Sequence, residues 1–373
     1  MWFRHLDTKQ RLAAGAGVLT VVALVIGLSL VTASGDPKPH ADGSTSSTSS
    51  SSSSSSTSTT PHPHLASHLC PLTGTRPSGG RVPARPALGV KIGNDPASRP
   101  QSGLPEADIV YEEMAEGGIT RYLAIFQCKS AGAIGPTRSV RWDDWHILAS
   151  YGNPILSFSG GITQWDAVVA SLHWLHDANG SSYPTSNAYY RTSDRVPPWN
   201  YYSSTKALYG LFPKARTAPE PQFSYSKAPP AGSTIAAGTT IAAFATGENV
   251  VWKWDASRQA YMRYYQSGGV RTADLDAGGR QLQAVNVIIE MVATKRGPYA
   301  ESGTVPDVES ITEGTGTAYI LRNGKVEAGT WSCKRTGDVT HFRFKNGRQM
   351  TLSPGNTWVE LVPNHGYPVS IQR

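Results

Sequence analysis

The chain has 373 residues, with 34 lysines and arginines against 27 aspartates and glutamates, and a formal net charge of +7. Its three cysteines are too few for a disulfide-rich scaffold or a four-cysteine zinc site. Basic side chains form no clustered stripe, and we find no phosphate-binding loop, dinucleotide-binding glycine motif or zinc-protease motif. We therefore expect no nucleic-acid partner, no metal and no cofactor.

The N-terminal segment predicts a membrane location. Residues 12–33 form an uncharged stretch of 22 residues, enough to cross a hydrocarbon core of ~30 Å. Basic residues before it and Asp36 after it predict that residues 1–11 stay in the cytoplasm and that the C-terminal part is extracytoplasmic. The alternative is a signal peptide cleaved after Ala33, which would give a secreted protein. No cysteine for lipid attachment lies near the end of the stretch.

A polar spacer follows. Residues 44–60 are all serine or threonine, so they cannot bury apolar surface. We expect residues 34–70 to form a disordered tether that holds the rest of the chain away from the membrane.

Residues 71–225 alternate between strand and helix patterns, which predicts an α/β domain. We expect strands at 87–92, 107–114, 119–128 and 154–159, and helices at 141–151, 163–176 and 203–211. The strands at 107–114 and 119–128 flank Gly117 and Gly118, which indicates a hairpin.

Residues 226–240 are predicted to be a linker, and residues 241–373 a small, mainly antiparallel β domain. Its strands are broken by the Asn323-Gly324 and Asn346-Gly347 turns, which are typical of hairpins. The expected fold class is therefore α+β.

Polar side chains concentrate between residues 94 and 141. A two-residue or a four-residue hairpin loop would place Glu112 and Arg121 on the same strand face. Arg138 and Arg141 are three residues apart, which would bring them together in the first turn of a helix. Such a cluster could bind phosphate or carboxylate, or it could be an internal arginine–carboxylate network. The proposed site also includes Asn94, Arg99, Gln101, Asp108 and Glu116.

A second anion-binding candidate is Ser159-Gly160-Gly161, between a predicted strand and a predicted helix. Backbone N–H groups in this arrangement can bind an anion, although a plain tight turn has the same sequence pattern.

Export would permit one disulfide among Cys70, Cys128 and Cys333. We favour the Cys70–Cys128 pair because Cys128 lies in the predicted α/β domain and Cys70 directly precedes that domain, and the alternative is no disulfide.

Several long motifs resemble the YerB-like family of bacterial envelope lipoproteins, a two-domain family of unknown function. They are residues 91–112 (KIGNDPASRPQSGLPEADIVYE), 116–127 (EGGITRYLAIFQ), 134–141 (IGPTRSVR), 195–200 (RVPPWN), 321–331 (LRNGKVEAGTW) and 352–363 (LSPGNTWVELVP). Trp199 stands where members of the family often carry histidine. The resemblance implies an envelope protein and supplies no catalytic residue.

Our first interpretation is a membrane-tethered protein that binds an anionic cell-wall or membrane-associated ligand, a phosphorylated glycopolymer or a lipid-linked precursor. The second is an enzyme acting on phosphorylated envelope glycopolymers, since residues 107–110 and 135–141 are faintly similar to segments of LytR-type transferases. A divalent metal on Asp108, Glu112 or Glu116 would favour the enzyme. The third is a purely structural envelope protein.

Overall fold

The computed structural model describes residues 68–229, 234–236, 238–245, 248–300 and 305–372. The predicted anchor at 12–33 and the tether up to residue 67 lie outside the described residues. None of the helices within the described ranges is long and apolar enough to cross a membrane.

The first half of the described chain contains short helices between strands. Its elements are β1 (Leu88–Gly93), β2 (Ile109–Met114), β3 (Thr120–Phe126), α1 (Trp142–Leu148), β4 (Ile155–Phe158), α2 (Thr163–Ser171), β5 (His176–Asn179), β6 (Tyr190–Arg191), β7 (Tyr201–Tyr202) and α3 (Thr205–Leu211).

The second half consists of strands. They are β8 (Thr234–Ala236), β9 (Thr239–Ala245), β10 (Glu248–Asp255), β11 (Ala260–Ser267), β12 (Val270–Ala273), β13 (Gln283–Ala284), β14 (Asn286–Ala300), β15 (Pro306–Ile311), β16 (Gly314–Arg322), β17 (Lys325–Cys333), β18 (His341–Arg343), β19 (Thr357–Pro363) and β20 (Val369–Gln372).

The α+β character is confirmed, with far more strand than helix. One large sheet has the order β18-β17-β16-β14-β19-β2-β3-β1-β4-β5, with β15 paired to β14 and β8 paired to β17. Strand β19 pairs in parallel with both β14 and β2, so this sheet contains strands from both sides of the predicted linker. A second sheet has the order β12-β11-β10-β9-β20, with β13 paired to β11.

The large sheet has a core on each face. On one face the second sheet packs against it, and Trp252 of β10 meets Trp358 of β19 with ring centroids 5.4 Å apart. On the other face, helices α1 and α2 contribute Trp145 and Trp165 to a separate apolar cluster. Polar side chains that point inward from the sheet must therefore find partners inside one of these cores.

Two helices differ from their predicted bounds. Helix α1 begins at Trp142, because Asp143 and Asp144 occupy its first turn and the N–H of Arg141 donates to Asp144 at 2.7 Å. Helix α2 ends at Ser171, whereas the pattern predicted a helix to residue 176. Leu175 lies in the turn after the helix and is buried there. Its position in the sequence matched the helical spacing of buried residues, although it is not part of the helix.

The third predicted helix, at 203–211, is α3 and begins at Thr205. Ser204 is the N-cap of α3 and accepts the N–H of Ala207 at 3.2 Å. Residues Asn323 and Gly324 both have positive φ and join β16 to β17, which confirms that hairpin. The Cys70–Cys128 disulfide is present, and Cys333 is a free, buried thiol.

Candidate functional site

The β2–β3 hairpin determines which polar side chains share a face. Its loop is the three-residue segment Glu116–Gly118, and its register places Glu112 opposite Tyr122 and Glu113 opposite Arg121. Because side chains alternate along a strand, Glu112 and Arg121 point to opposite faces. The prediction that they share a face is wrong. It assumed an even loop length, and one residue more or less moves every side chain of a strand to the other face.

Arg121 and Arg141 converge on the Glu116 carboxylate beneath helix α1. Arg121 donates to Glu116 at 2.7 Å, and Arg141 grips it with Nε and Nη2 at 2.9 and 2.6 Å. The Arg141 guanidinium also lies 3.5 Å from Asp307 of β15. Burial would raise the pKa of Glu116, but the Arg141 hydrogen bond and the two guanidinium charges outweigh it and hold the pKa far below its usual range. We call these four residues the Glu116 cluster.

The arginines of the Glu116 cluster are buried, whereas the Glu116 side chain is 20% exposed. Arg121 is 2% exposed and Arg141 is fully buried, and the second guanidinium also donates to the Val140 carbonyl at 2.8 Å. For these two arginines, the geometry is that of the internal network rather than of an open anion site.

Arg138 is positioned differently from the other two arginines. It precedes α1 in an extended segment whose N–H donates to the Lys91 carbonyl at 3.0 Å, so the prediction that it lies in the first helical turn is wrong. The first turn instead holds Asp143 and Asp144, which the helix dipole favours at this end. Its side chain is half-buried and lies over the Trp199 ring, 6.0 Å from the centroid.

The Arg138 guanidinium has no hydrogen bond and no ion pair among the described residues, and its Nε is buried. The carboxylate whose pKa it affects is Asp95, which accepts the Trp199 Nε1–H at 2.7 Å and the Ser98 hydroxyl at 2.6 Å. Burial opposes the shift, but these hydrogen bonds and the Arg138 charge lower the pKa of Asp95. Asp95 thus accepts hydrogen bonds from other donors, and no described residue forms a hydrogen bond or ion pair with the half-buried Arg138 guanidinium.

The predicted glycine turn lies beside Arg138. The Ser159 N–H donates to the Arg138 carbonyl at 2.9 Å, and the Gly160 N–H donates to the Asn179 side chain at 3.0 Å. Gly160 has a φ of +60°, which explains a glycine at this position. Because two of the three N–H groups of Ser159-Gly160-Gly161 serve protein acceptors, the turn holds the Arg138 segment and does not offer an open anion cradle.

Glu112 belongs to a second buried cluster, on the opposite face of the large sheet. Its carboxylate accepts the Thr120 hydroxyl at 2.6 Å and the Asn94 amide at 3.2 Å, and it forms an ion pair with Arg263 of β11. Arg263 also forms an ion pair with Asp274 and is fully buried. We call Glu112, Arg263 and Asp274 the Arg263 network.

Aromatic rings surround the Arg263 guanidinium. The centroids of four rings lie 4.8–5.9 Å from its central carbon, and they belong to Tyr122, Trp252, Tyr265 and Trp358. Each ring face attracts a cation, so the cage adds to the two ion pairs. The Arg263 network therefore joins the β2–β3 hairpin to the second sheet.

The predicted site residues Asn94, Arg99 and Gln101 surround this network. Asn94 Oδ1 accepts hydrogen bonds from Arg99 at 3.1 Å and from Gln101 at 3.0 Å, and it also accepts the Tyr265 hydroxyl at 2.7 Å. These side chains connect elements of the fold with one another.

Asp108 has a local structural role. One of its oxygens accepts the N–H groups of Gln127 and Cys128 at 2.6 and 2.9 Å, at the end of β3. Burial raises its pKa, against the opposing effects of Lys129 and of those hydrogen bonds. Asp108, Glu112 and Glu116 thus lie in three separate networks, and the described residues contain no group of three metal-binding side chains.

Sequence reasoning missed two buried cations. Lys91 of β1 forms ion pairs with Glu113 and Asp144 and has no exposed side-chain surface. Burial lowers its pKa, although Asp144 opposes the shift. Arg263 is the other. In both cases the sequence offered one signal of a buried cation. A single basic residue stands in a predicted strand between apolar or aromatic residues.

The family models match both halves of the chain. "Protein of unknown function (DUF3048) N-terminal domain" matches residues 72–218, and the corresponding C-terminal domain matches residues 240–359. The chain belongs to the DUF3048 family. A curated relative, "Putative lipoprotein YerB" of Bacillus subtilis (strain 168), is 29% identical over 299 residues, which is 79% of this chain and 86% of YerB.

A solved structure supports the same assignment. The crystal structure of the YerB protein from Bacillus subtilis is similar to this DUF3048 chain with a TM-score of 0.66 at 25% identity. The match covers 81% of this chain and 99% of the YerB chain. The resemblance drawn from the sequence motifs is thereby confirmed, and so is its implication of a family of unknown function.

Proposed function

We propose that this protein binds an anionic ligand of the cell envelope, such as a phosphorylated glycopolymer or a lipid-linked precursor, on the extracytoplasmic side of the membrane. Three observations support this location: the apolar segment at 12–33, the serine- and threonine-rich spacer, and a relative whose name describes it as a lipoprotein. The net charge of +7 favours association with anionic material.

The observation that carries the proposal is the Arg138 guanidinium, which no described residue pairs. Arginine binds phosphate through two parallel N–H···O bonds, and such charge-assisted bonds are about twice as strong as neutral ones. Arg121 and Arg141, in contrast, donate hydrogen bonds to Glu116 and to backbone carbonyls. Arg138 instead presents its charge next to the ring of Trp199, which gives the site one cationic and one aromatic surface.

Calorimetric titration of the full chain with pyrophosphate and with glycerol phosphate tests the site. We expect saturable binding to the wild type and at least a 10-fold loss of affinity in Arg138→Gln. Arg216→Gln is the matched control because Arg216 is exposed and belongs to neither network. Equal affinity in the wild type and Arg138→Gln, or no binding to the wild type, would refute the proposal.

A further inference from the structure

A narrow polar pocket of about 40 Å³ lies between helix α1 and the loop that follows β17. It shares no lining residue with the Arg138 site. Its lining includes Tyr111 of β2, Glu290 of β14, Cys333 of β17 and His146 of α1. The lining also includes Gly337, which is exposed, so the pocket opens to solvent.

Glu290 is the unusual group in this pocket. It is only 3% exposed, and its carboxyl group has no hydrogen bond or ion pair among the described residues. Every other buried carboxyl group described above has at least one hydrogen-bond donor or cation beside it. A buried carboxylate without such a partner is costly, so Glu290 is either neutral or paired with something other than the described residues.

The titratable neighbours of Glu290 do not supply that partner. The Tyr111 hydroxyl is 3.2 Å from the Tyr151 hydroxyl, and His146 Nδ1 is 2.8 Å from the Trp142 carbonyl. The Cys333 thiol donates towards the Arg335 carbonyl at 3.3 Å. The remaining titratable residue in the lining is an aspartate, Asp338, and the described residues that line the pocket include no lysine or arginine.

Size and polarity define the ligand. A water molecule needs roughly 10–15 Å³ measured in this way, so the pocket admits about three water-sized atoms. The carboxyl groups of Glu290 and Asp338 and the hydroxyls of Thr312 and Thr340 are oxygen acceptors. The Phe223 ring adds a surface that attracts cations. The described residues offer no set of three metal ligands here. A compact cation with several N–H donors meets these conditions.

We propose that this pocket binds a small primary ammonium group, with Glu290 as its counter-ion. The three N–H donors of the ammonium group match the acceptors of the lining, and one thin alkyl chain can leave through the open side at Gly337. A quaternary ammonium group has no N–H donor and is too wide for the pocket. The site therefore takes either a free small amine or the end of an aminoalkyl chain.

Binding is coupled to a proton. Burial raises the pKa of Glu290 to about 8, so the carboxyl group is mostly protonated at pH 7. It must ionise to pair with an ammonium ion. Binding at pH 7 therefore releases close to one proton per molecule. Binding at pH 9, where the carboxyl group is mostly ionised already, releases only a small fraction of a proton.

Titration calorimetry of the full chain with methylammonium, n-butylammonium and tetramethylammonium tests the site, in two buffers that differ in ionisation enthalpy. We expect methylammonium to bind at least 10-fold more tightly than tetramethylammonium, with proton release at pH 7 that falls at pH 9. If butylammonium binds as tightly as methylammonium, the ligand of the site is the end of an aminoalkyl chain. If butylammonium binds more weakly, the ligand is a free small amine.

Glu290→Gln reproduces the neutral state of the side chain, so it should fold and lose at least 10-fold in methylammonium affinity together with the proton release. Glu220→Gln is the matched control at an exposed glutamate and should bind like the wild type. Arg138→Gln should also retain methylammonium binding, which separates this site from the anion site. Unchanged affinity in Glu290→Gln, or equal affinity for methylammonium and tetramethylammonium, overturns the proposal.

Discussion

Replacing Arg263 by methionine tests whether the Arg263 network holds the two sheets together. The substitution keeps an apolar chain of similar length inside the aromatic cage but removes the charge that Glu112 and Asp274 share. Both carboxyl groups are at least 97% buried and would be left without their cation. Removing one partner of a buried ion pair costs ~3–5 kcal/mol of unfolding free energy, and we expect a loss in that range at pH 7.

The loss should depend on pH. Burial already raises the pKa of Asp274, and the charge of Arg263 is the largest effect opposing that shift. Without Arg263 the pKa rises further above its value in the unfolded chain, so the variant gains stability as pH falls and loses it as pH rises. The difference between the wild type and Arg263→Met should therefore shrink between pH 7 and pH 4.

Urea unfolding followed by tryptophan fluorescence measures both effects. Arg258→Met is the control, because Arg258 is largely exposed and its 3.8 Å pair with Asp255 is a surface contact worth ~1 kcal/mol or less. The triple variant that also carries Glu112→Gln and Asp274→Asn should recover part of the loss, since no charge is then stranded. A loss under about 1 kcal/mol, or one that is the same at pH 4 and pH 7, would show that the network does not carry this stability.

Three further predictions concern single features of the fold. Reducing the Cys70–Cys128 disulfide, which spans 58 residues, should lower the unfolding free energy by ~4 kcal/mol, measured by urea titration with and without reductant. Glu290→Gln should be more stable than the wild type by on the order of 2–4 kcal/mol at pH 8 and equal to it near pH 4, because a raised pKa costs stability as pH rises through it. Gly324→Ala should lower the melting temperature more than Gly347→Ala does, because both glycines have a positive φ, +68° and +80°, but only a Cβ at Gly324 would lie 2.8 Å from Trp254.

Local sequence signals located most of the strands and helices. Alternation found the β2–β3 hairpin, the Asn323-Gly324 turn found β16–β17, and the predicted helix at 203–211 found α3. These features depend on a few neighbouring residues, whose conformational preferences act before any tertiary contact is made.

The candidate site depended on information that local signals do not contain. The face of the sheet to which Arg121 points depends on whether the hairpin loop has an odd or an even number of residues. The Gly117-Gly118 pair is compatible with loops of two, three or four residues. The partner of Glu112 is Arg263, 151 residues away, and nothing near Glu112 indicates it. Long-range pairing was thus decided by the assembly of the sheets, which left the Arg138 guanidinium without a hydrogen bond or ion pair among the described residues.

Chain topology makes one last prediction, that the two DUF3048 domains do not fold separately. Strand β19 lies between β14 and β2, so a fragment ending at residue 229 exposes the whole edge of β2. The same fragment leaves Glu112 without Arg263 and Arg141 without Asp307. Arg141 keeps its pair with Glu116, so Glu112 is the stranded buried charge. The unpaired inner strand, this charge and the uncovered apolar face together cost more than the ~5–15 kcal/mol by which a small domain is usually stable.

We therefore expect residues 68–229 alone to give a poorly dispersed amide NMR spectrum and to be digested rapidly by protease, and residues 68–373 to give a dispersed spectrum. Mixing or co-expressing 68–229 with 230–373 should restore protection, because the second fragment returns β19 and Arg263. A fragment of residues 68–229 that unfolds cooperatively by itself would show that the shared sheet is a docking arrangement between two independent domains. The ion pairs across it would then stabilise the interface and not the folding of either half.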